Sequence, residues 1–503
     1  MRLSIKPSLF ITNFIWTTLA SVSALLANIF ILRFLIVGLG AEQFGAYALA
    51  HRLIANALPL ATWAMGIALP RYVAMADGEV QQQRYLMSGF LITMIATLII
   101  VVFSAFFSGP MTLFLFRNIN YEPLFLATCF LFVFFSLYTV INAFYFGSGK
   151  VRIANFWQFA ITVLGMLVIA KVFAPLGKAS NIIYMFGILY LVASIPLFVY
   201  LIRSMLQDGV FRKIKQSITD LLVYGFPRIL DGFLATGLAT ICLLLSSRLV
   251  SLEAAGYFAI GLCFFRIVEM GTGAFGQLVL PKTSQLLSEG SGDILKERIQ
   301  DVVSMGFQVG LFFMLHLWLW SDLLIHLWLG EAMLVAIPIT KILVLSTGPY
   351  LIFVLLRPIL DGIQKKPINT WNLLISFSFT LLISLITVKY WEARGLALAT
   401  TLGFTLLAVL SAGRLVKIYG FKVNLFQTIS VIGVNLVFIT SAYGLKILIE
   451  QSFSEIFSFG LALLVEGVFV FLYYMLLKKL QINWIFELEK RLFASDKNTV
   501  KEI

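Results

Sequence analysis

The chain has 503 residues, of which 60% are hydrophobic and only 12% are charged. Because ordinary globular domains carry about 25% charged residues, this composition excludes a soluble globular protein. The net charge of +13 does not indicate nucleic-acid binding, since the basic residues stand in short clusters between apolar runs. That distribution is typical of the loops of membrane proteins.

Apolar runs bounded by Gly, Pro and charged residues predict fourteen membrane-crossing helices, at about 20 residues for each crossing. The predicted spans are residues 11–37, 43–69, 85–107, 121–146, 152–174, 181–202, 222–248, 254–280, 299–327, 334–360, 367–389, 395–417, 425–449 and 456–477. The first run, which follows Arg2 and Lys6, is too long for the apolar part of a signal peptide. We therefore interpret it as the first membrane helix.

The distribution of Lys and Arg predicts that both termini lie on the inner side of the cell inner membrane. With the N-terminus inside, 24 basic residues fall on the inner side and eight on the outer side. This bias over short loops indicates an N-in, C-in topology, which needs an even number of helices. The short loops also leave no room for an ATPase domain or for the long outer catalytic loop of a membrane-bound glycan polymerase.

One stretch of the chain, Ala41 to Arg71, occurs twice. A shift of 211 residues places Glu42 on Glu253, Gly45 on Gly256, Ala48 on Ala259, and Leu69-Pro70-Arg71 on Leu280-Pro281-Lys282. A self-match at a fixed offset indicates internal repeats. Since both copies end in a basic residue on the same predicted side, the repeats are parallel.

The repeat predicts an all-α polytopic membrane protein with two pseudo-symmetric lobes of six helices and two further helices at the C-terminus. The predicted divisions are an N-lobe (1–202), an inner linker (203–221), a C-lobe (222–423), helices 13 and 14 (424–480) and an inner tail (481–503).

The sequence predicts no catalytic residues, no metal site and no cofactor. Neither the histidines nor the cysteines have the spacing of metal ligands; they are His51, His316, His326, Cys129, Cys242 and Cys263. The segment Gly147-Ser148-Gly149-Lys150 lacks the first Gly and the final Ser or Thr of a phosphate-binding loop. Enzymatic chemistry therefore has no support in the sequence.

Five basic residues fall inside predicted spans: Arg52, Arg228, Arg266, Lys341 and Arg357. A charge at the centre of a membrane helix costs at least about 2.5–3.5 kcal/mol, so each is expected to face a cavity, a partner or water. Arg52 and Arg266 lie deepest, in repeat-equivalent spans. Because a guanidinium matches phosphate oxygens bidentately, they predict a cavity for a phosphate or pyrophosphate ligand, with Arg228 and Arg357 at its inner mouth.

Polar residues in the first, second and eighth spans extend this predicted site. Asn28, Asn56 and Gln277 are candidate sugar contacts, because a few hydrogen-bonding groups in an apolar wall orient a ligand.

An alternative interpretation of the basic residues is local pairing on one helix face. Candidate pairs are Arg228 with Asp231, Arg266 with Glu269, and Arg357 with Asp361. Arg52 has no acidic residue within one turn in the sequence. His316 and Glu466, each near the middle of a span, are candidate proton-relay groups, or polar ties between helices. Asp231 and Glu269 are the candidate coupling groups of a cation-driven exporter.

Residues 33–47 and 66–72, with their second copy at 253–257 and 280–282, resemble the polysaccharide flippases of the Wzx type. This family belongs to the superfamily that also contains the multidrug MATE exporters and the lipid II flippases. The resemblance covers the whole chain. A mid-span acidic residue, common in the early helices of the drug exporters, is absent from the first six predicted spans, which argues against that branch. The lipid II flippases stay as an alternative.

The resemblance implies two lobes arranged in a V that open alternately to either side, with helices 1, 2, 7 and 8 around a central cavity. It also implies a polyprenyl-pyrophosphate-linked oligosaccharide as the substrate, moved from the inner to the outer leaflet for polysaccharide assembly. Membrane lipids, a polysaccharide polymerase and glycosyltransferases are the partners that it implies.

Overall fold

The computed structural model describes residues 7–205, 209–265, 268, 292–363, 368–420, 425–452 and 455–479. Every regular element in these residues is a helix. Ten of the helices are long and apolar enough to cross a membrane, or eleven if the bent pair Glu331–Val344 and Thr347–Asp361 is one span. The prediction of an all-α polytopic membrane protein is confirmed.

The chain folds into two compact units. Unit 1 contains the described residues up to 268, with 338–340 and 369–403; unit 2 contains the other described residues. The helices before residue 268 are α1 (Pro7–Ala61), α2 (Met65–Ala74), α3 (Glu79–Phe106), α4 (Ser108–Phe116), α5 (Glu122–Gly147), α6 (Val151–Gln158), α7 (Met166–Phe173), α8 (Ala179–Met205), α9 (Ile214–Leu245) and α10 (Leu252–Cys263). The predicted division into two lobes and a linker at 203–221 is not the same as this division into units, and it stays a prediction.

The helices after residue 291 are α11 (Gly292–Leu329), α12 (Ile337–Val344), α13 (Thr347–Ile363), α14 (Ile368–Tyr419), α15 (Leu425–Ser452) and α16 (Glu455–Lys479). Short 3₁₀ and π segments connect several elements; one π segment, Phe159–Gly165, joins α6 to α7. Thirteen of the fourteen predicted spans have helical counterparts among the described residues. Of the eighth span, 254–280, the structure describes the first part, which belongs to α10, and most of the rest lies outside the described residues.

Two of the long helices each contain two predicted spans, which meet at a break. In α1 the break is Gly40, whose φ of 72° and ψ of 171° are not helical. In α14 it is Glu392, with φ 48° and ψ −128°. Gly40 adopts its positive φ without steric cost because it has no Cβ. We call the segments of α1 on either side of Gly40 limb α1a (residues 7–39) and limb α1b (residues 41–61).

The second predicted span, 43–69, is not continuous. Trp63 and Ala64 both have positive φ, 49° and 54°, and they separate α1 from α2. The N–H of Ala64 donates to the carbonyl of Pro59 at 3.2 Å, and the indole N–H of Trp63 donates to the carbonyl of Leu222 at 3.3 Å. The contact with α9 offsets the strain of two left-handed residues that are not glycine.

Helix α9 begins well before the predicted seventh span. Its first turns contain buried Ser217 and Leu221, and the hydroxyl of Tyr85 on α3 donates to Asp220 at 3.1 Å. Packing against α3 therefore extends the helix into a segment whose polar composition predicts a linker, since tertiary packing supplies most of a helix's stability.

The core of unit 2 is a cluster of aromatic rings contributed by α11, α15 and α16. Phe312, Phe438, Phe469 and Tyr473 are all buried within it. The rings of Phe312 and Tyr473 are stacked with centroids 4.5 Å apart, and those of Phe438 and Phe469 meet edge to face at 5.2 Å. Aromatic pairs in these geometries add to the stabilisation from burial alone.

Candidate functional site

The two copies of the sequence repeat are in direct contact. A Cβ atom added at Gly45 on α1b would lie 1.9 Å from the carbonyl oxygen of Leu252, and one added at Gly256 on α10 would lie 2.2 Å from that of Ala41. Both distances are far inside van der Waals contact, so only glycine permits this approach. Small residues serve the same purpose in many membrane helix pairs. The repeat therefore marks a backbone-to-backbone contact of α1b with α10.

Polar side chains fix the beginnings of these two helices. The hydroxyl of Ser251 caps α10 by accepting the N–H of Ala254 at 3.0 Å, and Glu253 accepts the hydroxyl of Tyr257 at 2.6 Å. Glu42, the equivalent of Glu253, accepts a tyrosine hydroxyl from the 3₁₀ turn before α5 at 2.8 Å. Acidic groups are favourable in the first turn of a helix because they face the positive end of its dipole.

Residues of α1a, α1b, α7 and α10 line a cavity of about 80 Å³. Two of the predicted ligand-binding residues, Asn28 and Arg52, line it together. Each lies twelve residues from the break at Gly40, on opposite limbs of α1. At a rise of 1.5 Å per residue both are about 18 Å from the break. That depth is near the middle of a hydrocarbon layer about 30 Å thick.

The walls contributed by α1b and α10 are equivalent under the repeat. At the 211-residue offset, three lining residues of α1b fall on three lining residues of α10. The pairs are Ala48 with Ala259, His51 with Leu262, and Arg52 with Cys263. Matching faces of the two repeated helices thus line the cavity, and among its described lining residues the permanent charge is that of Arg52.

Aromatic rings lie beside Arg52 in the cavity. Tyr47 lines the cavity, with its ring stacked on His51 at 6.0 Å and edge to face with Phe186 at 6.4 Å. Arg52 is half-buried, so its guanidinium lies in a mainly apolar environment where attraction to an anion is stronger than in water. The arrangement is suited to a ligand with one anionic group and apolar or ring-shaped parts.

Asn56 lies one turn beyond Arg52 but is engaged elsewhere. Its amide nitrogen donates to the carbonyl of Phe233 at 2.9 Å and to the hydroxyl of Thr236 at 3.0 Å, which ties α1b to α9. Its role as a sugar contact stays a prediction. Three other predicted residues, Arg266, Glu269 and Gln277, lie outside the described residues.

Arg228 and Asp231 do not form the local ion pair that their spacing suggests. Arg228 donates to the carbonyl of Tyr224 at 2.8 Å, and its guanidinium lies 3.8 Å from the centre of the Tyr224 ring. Asp231 accepts the hydroxyl of Thr370 at 2.5 Å. The local-pairing interpretation is therefore wrong for Arg228, because Arg228 contacts Tyr224 of the same helix while Asp231 accepts from Thr370 of α14.

Other predicted residues lie in unit 2. Arg357 on α13 lies 5.9 Å from the centre of the Phe353 ring. His316 on α11 and Glu466 on α16 are in contact, with Nδ1 2.7 and 2.8 Å from the two carboxylate oxygens. The indole N–H of Trp320 donates to the same carboxylate at 2.5 Å. The pair ties α11 to α16, and a role for it in coupling stays a prediction.

The sequence did not identify a second polar cluster in unit 2. Asp322 on α11 accepts from Lys446 at 2.5 Å and from Lys341 at 3.2 Å. Lys446 counted among the outer basic residues, but it is only 5% exposed, since it also donates to the carbonyl of Leu319 at 2.8 Å. The isolated Asp322 in an apolar run was the available indication that a basic partner was needed.

Within the described part of the chain, no three His, Cys, Asp or Glu residues stand close enough together to hold a metal ion. The chemistry available at the cavity is therefore that of Arg52, His51, Asn28 and the aromatic wall.

Comparisons with known proteins identify the fold. No protein-family model matches the sequence, and no curated protein matches it. Among solved structures, the lipid II flippase MurJ in an inward closed conformation matches with a TM-score of 0.63 and 15% identity, over 93% of this chain and 99% of that one. A multidrug resistance MATE transporter of the MOP superfamily, facing inward, has the same TM-score and identity, over 81% and 100%. The MATE transporter DinF-BH matches with a TM-score of 0.60 and 16% identity, over 84% and 98%.

The chain has the MOP-type transporter fold. The match covers nearly all of each compared structure, so it extends over the whole architecture of those proteins. At these identities the likeness establishes the fold, and the ligand must be argued from the side chains. The proteins compared are a flippase and multidrug transporters by name, and none is an enzyme.

Proposed function

We propose that this protein is a flippase that moves a polyprenyl-pyrophosphate-linked oligosaccharide from the inner to the outer leaflet of the cell inner membrane, with both termini inside. The observation that carries the proposal is the position of Arg52. It lines a cavity at mid-membrane depth beside Asn28, where its guanidinium is placed to bind the phosphate oxygens of a lipid that crosses the membrane.

The residues of the cavity suit the steps that flipping requires. A pyrophosphate that leaves the headgroup layer loses hydration, and Arg52 compensates through charge and bidentate hydrogen bonds. At about 4 Å and an effective dielectric constant of 20, one such attraction is about 4 kcal/mol. Asn28 offers a donor and an acceptor to a sugar hydroxyl at the same depth, and the rings of Tyr47 and His51 offer flat surfaces for the sugar.

The size of the cavity implies a conformational cycle. Ligand pockets commonly enclose about 300–1,000 Å³, whereas this one encloses about 80 Å³. A glycan therefore enters only when the cavity widens, and the contact of Gly45 with Gly256 is one place where α1b and α10 would separate. In this proposal the narrow cavity belongs to a conformation of unit 1 that does not admit the glycan, and separation of α1b from α10 produces the conformation that does.

The proposal is tested in cells that depend on this protein for surface polysaccharide. Radiolabelled sugar is followed into the butanol-extracted lipid pool, and an impermeant glycan-cleaving enzyme reports its sidedness. Depletion of the protein is expected to raise a polyprenyl-pyrophosphate glycan that is protected on the inner side. Arg52→Gln is expected to reproduce that accumulation, while the exposed control Arg152→Gln is expected to behave as wild type.

Two results would contradict the proposal. An unchanged lipid pool on depletion would exclude this substrate class. Full transport by an Arg52→Gln protein that is present at normal levels in the membrane would exclude Arg52 as the anion-binding group. The partners implied by this function are a polysaccharide polymerase and glycosyltransferases, and co-purification with them is a separate test.

A second candidate is a cation-coupled exporter of small amphiphiles. One observation favours it: Asp231, in the middle of α9, is half-buried and accepts a hydrogen bond from Thr370. A half-buried carboxylate in a membrane helix is a candidate group for binding and releasing a cation. This function predicts that Asp231→Asn abolishes drug efflux without accumulation of lipid-linked sugar. A lipid II flippase is the remaining alternative, and the sugar composition of the accumulated lipid separates it from the first proposal.

A further inference from the structure

Helix α11 presents a line of polar and aromatic side chains to α15 and α16. Gln308, Phe312, His316 and Trp320 follow one another at intervals of four residues, so they share one face of the helix. The carbonyl of Gln308 accepts the hydroxyl of Tyr473 on α16 at 3.1 Å, and Phe312 stacks on the Tyr473 ring at 4.5 Å. This face therefore holds α16 along several turns of α11.

The carboxylate of Glu466 on α16 is bound in the middle of this line. Its two oxygens lie 2.8 and 2.7 Å from Nδ1 of His316, and one of them accepts the indole N–H of Trp320 at 2.5 Å. An indole N–H only donates, so Glu466 must be the acceptor, and an ionised carboxylate makes such bonds roughly twice as strong. The arrangement fits an ionised Glu466 with a proton on Nδ1 of His316.

The other ring nitrogen of His316 makes no such contact. Within the described part of the chain, Nε2 is buried without a hydrogen-bond partner, and the side chain is 6% exposed. Phe312 covers the ring at 4.0 Å, and Phe469 meets it edge to face at 5.9 Å. A neutral nitrogen without a partner is a modest loss here, whereas an imidazolium N–H without an acceptor is a buried charged donor, which is far less favourable.

The charged groups around the pair balance one another when His316 is neutral. Lys446 on α15 lies 5.8 Å from the centre of the indole ring that binds Glu466. It pairs with Asp322 on α11, which also pairs with Lys341 on α12. The two lysines and the two carboxylates together carry no net charge. One further proton therefore makes the group positive in the interior of unit 2, where charge is unfavourable.

The other elements packed around α11 leave this balance unchanged. On α16 the titratable group beside the pair is the hydroxyl of Tyr473, which accepts the amide of Asn435 at 3.0 Å. In the antiparallel pair of α11 and α13, Arg357 and Asp361 lie about 15 Å or more from the imidazole along α11. Glu331, in the turn that follows α11, is exposed.

We propose that His316 and Glu466 form a proton-binding site that controls the contact of α16 with α11. A proton from water that binds Nε2 creates an imidazolium whose second N–H has no acceptor in this packing. A proton on Glu466 instead removes the charge that strengthens its bonds to Nδ1 and to Trp320. Water at the pair relieves either state, so proton binding and separation of α16 from α11 favour each other. The inference concerns unit 2 and does not depend on the cargo proposed for unit 1.

The test measures the distance between α11 and α16 at two pH values by pulsed electron paramagnetic resonance. The purified full-length protein, in phosphatidylcholine nanodiscs and without its native cysteines, carries one spin label at Val309 and one at Leu464, which are both exposed. The measurements are made at about pH 8 and about pH 5.5, on either side of the ordinary titration of histidine. Room for one water would move the labels apart by about 3 Å, and that population is expected to rise about threefold at the lower pH.

Three variants distinguish the pair from other titrating groups. His316→Asn keeps a donor for Glu466 but takes up no proton in this pH range, so its distances are expected to be independent of pH. His326→Asn removes the other histidine of α11 and is the matched control, which is expected to respond as wild type does. Glu466→Gln removes the charge, so it is expected to show the larger separation at both pH values.

Each arm can overturn the proposal. Equal wild-type distances at the two pH values would do so, and this comparison does not depend on the folding of any variant. A response that persists in His316→Asn, or one that is lost in His326→Asn, would assign the proton to another group. If the pair is only a structural tie, Glu466→Gln will lower the melting temperature and keep the wild-type distances at both pH values, which also overturns a proton-binding role.

Discussion

Replacement of Gly45 by alanine tests the contact between the two repeats. The added methyl carbon would lie 1.9 Å from the carbonyl oxygen of Leu252 and 2.8 Å from the backbone N of Gly256. Both obstacles are backbone atoms, so no side-chain rotation relieves the overlap. For the carbon and the oxygen to reach an ordinary separation of about 3.3 Å, the helices must move apart by about 1.4 Å.

The expected cost follows from overpacking. Inserting a methyl group into a packed contact typically costs about 1–3 kcal/mol. Alanine also has a higher helix propensity than glycine by roughly 0.5–1 kcal/mol, and this gain would mask part of the cost in a simple comparison with wild type. Gly66→Ala provides the matched control, because its added Cβ is 4.0 Å from the nearest atom, the Cγ2 of Thr139.

The assay is the thermal unfolding midpoint of the purified full-length protein in detergent. Since 1 kcal/mol shifts the midpoint of a domain of 150–250 residues by about 2–4 °C, Gly45→Ala is expected to melt roughly 2–12 °C below Gly66→Ala. Gly256→Ala is expected to behave like Gly45→Ala, because its Cβ would meet the carbonyl of Ala41 at 2.2 Å. Equal midpoints for the Gly45 and Gly66 variants would refute the close contact.

Two further comparisons test side chains on the same principle. Lys446 and Lys341 both pair with Asp322, but their side chains are 6% and 28% exposed, respectively. Lys446→Met is therefore expected to cost about 1.5–3 kcal/mol of stability, and Lys341→Met at most about 1 kcal/mol. Equal melting points for the two variants would contradict this order. Asn56→Ala is expected to cost about 1–3 kcal/mol, since it removes the two hydrogen bonds by which α1b is tied to α9. Asn28→Ala is expected to lower transport and leave the melting point unchanged; the reverse result would exchange the roles of the two asparagines.

Much of the fold followed from hydropathy and charge, because a bilayer imposes length and apolarity on every crossing. The repeat indicated two similar halves, and the structure adds that Gly45 and Gly256, which match at an offset of 211 residues, are in contact. Their backbone contact needs glycine on both helices, and this need explains why the same residue occurs at both positions of the repeat. Asn28 and Arg52 share a cavity for a similarly local reason, their equal distance from the break at Gly40.

The sequence was least informative where tertiary contacts override local preference. Neither Trp63 nor Ala64 is a residue type that favours a left-handed backbone. The hydrogen bond that stabilises this conformation runs from Trp63 to Leu222 on α9, which is far away in the sequence. Arg228 likewise has an acidic neighbour at helical spacing, yet it lies on Tyr224. Patterns within one helix predict which partners are in reach, but packing between helices decides which of them is used.

The matched residues of α1b and α10 bear on how the proposed cargo is held. Among the described lining residues, the repeat matches Arg52 of α1b with an uncharged thiol, Cys263 of α10. The proposed function therefore assigns the phosphate of the lipid-linked glycan to Arg52, with Arg266 of the equivalent predicted span as the second predicted anion-binding group. A guanidinium that binds phosphate oxygens bidentately orients the anionic part of such a cargo, while the apolar and aromatic residues around Arg52 face its neutral part.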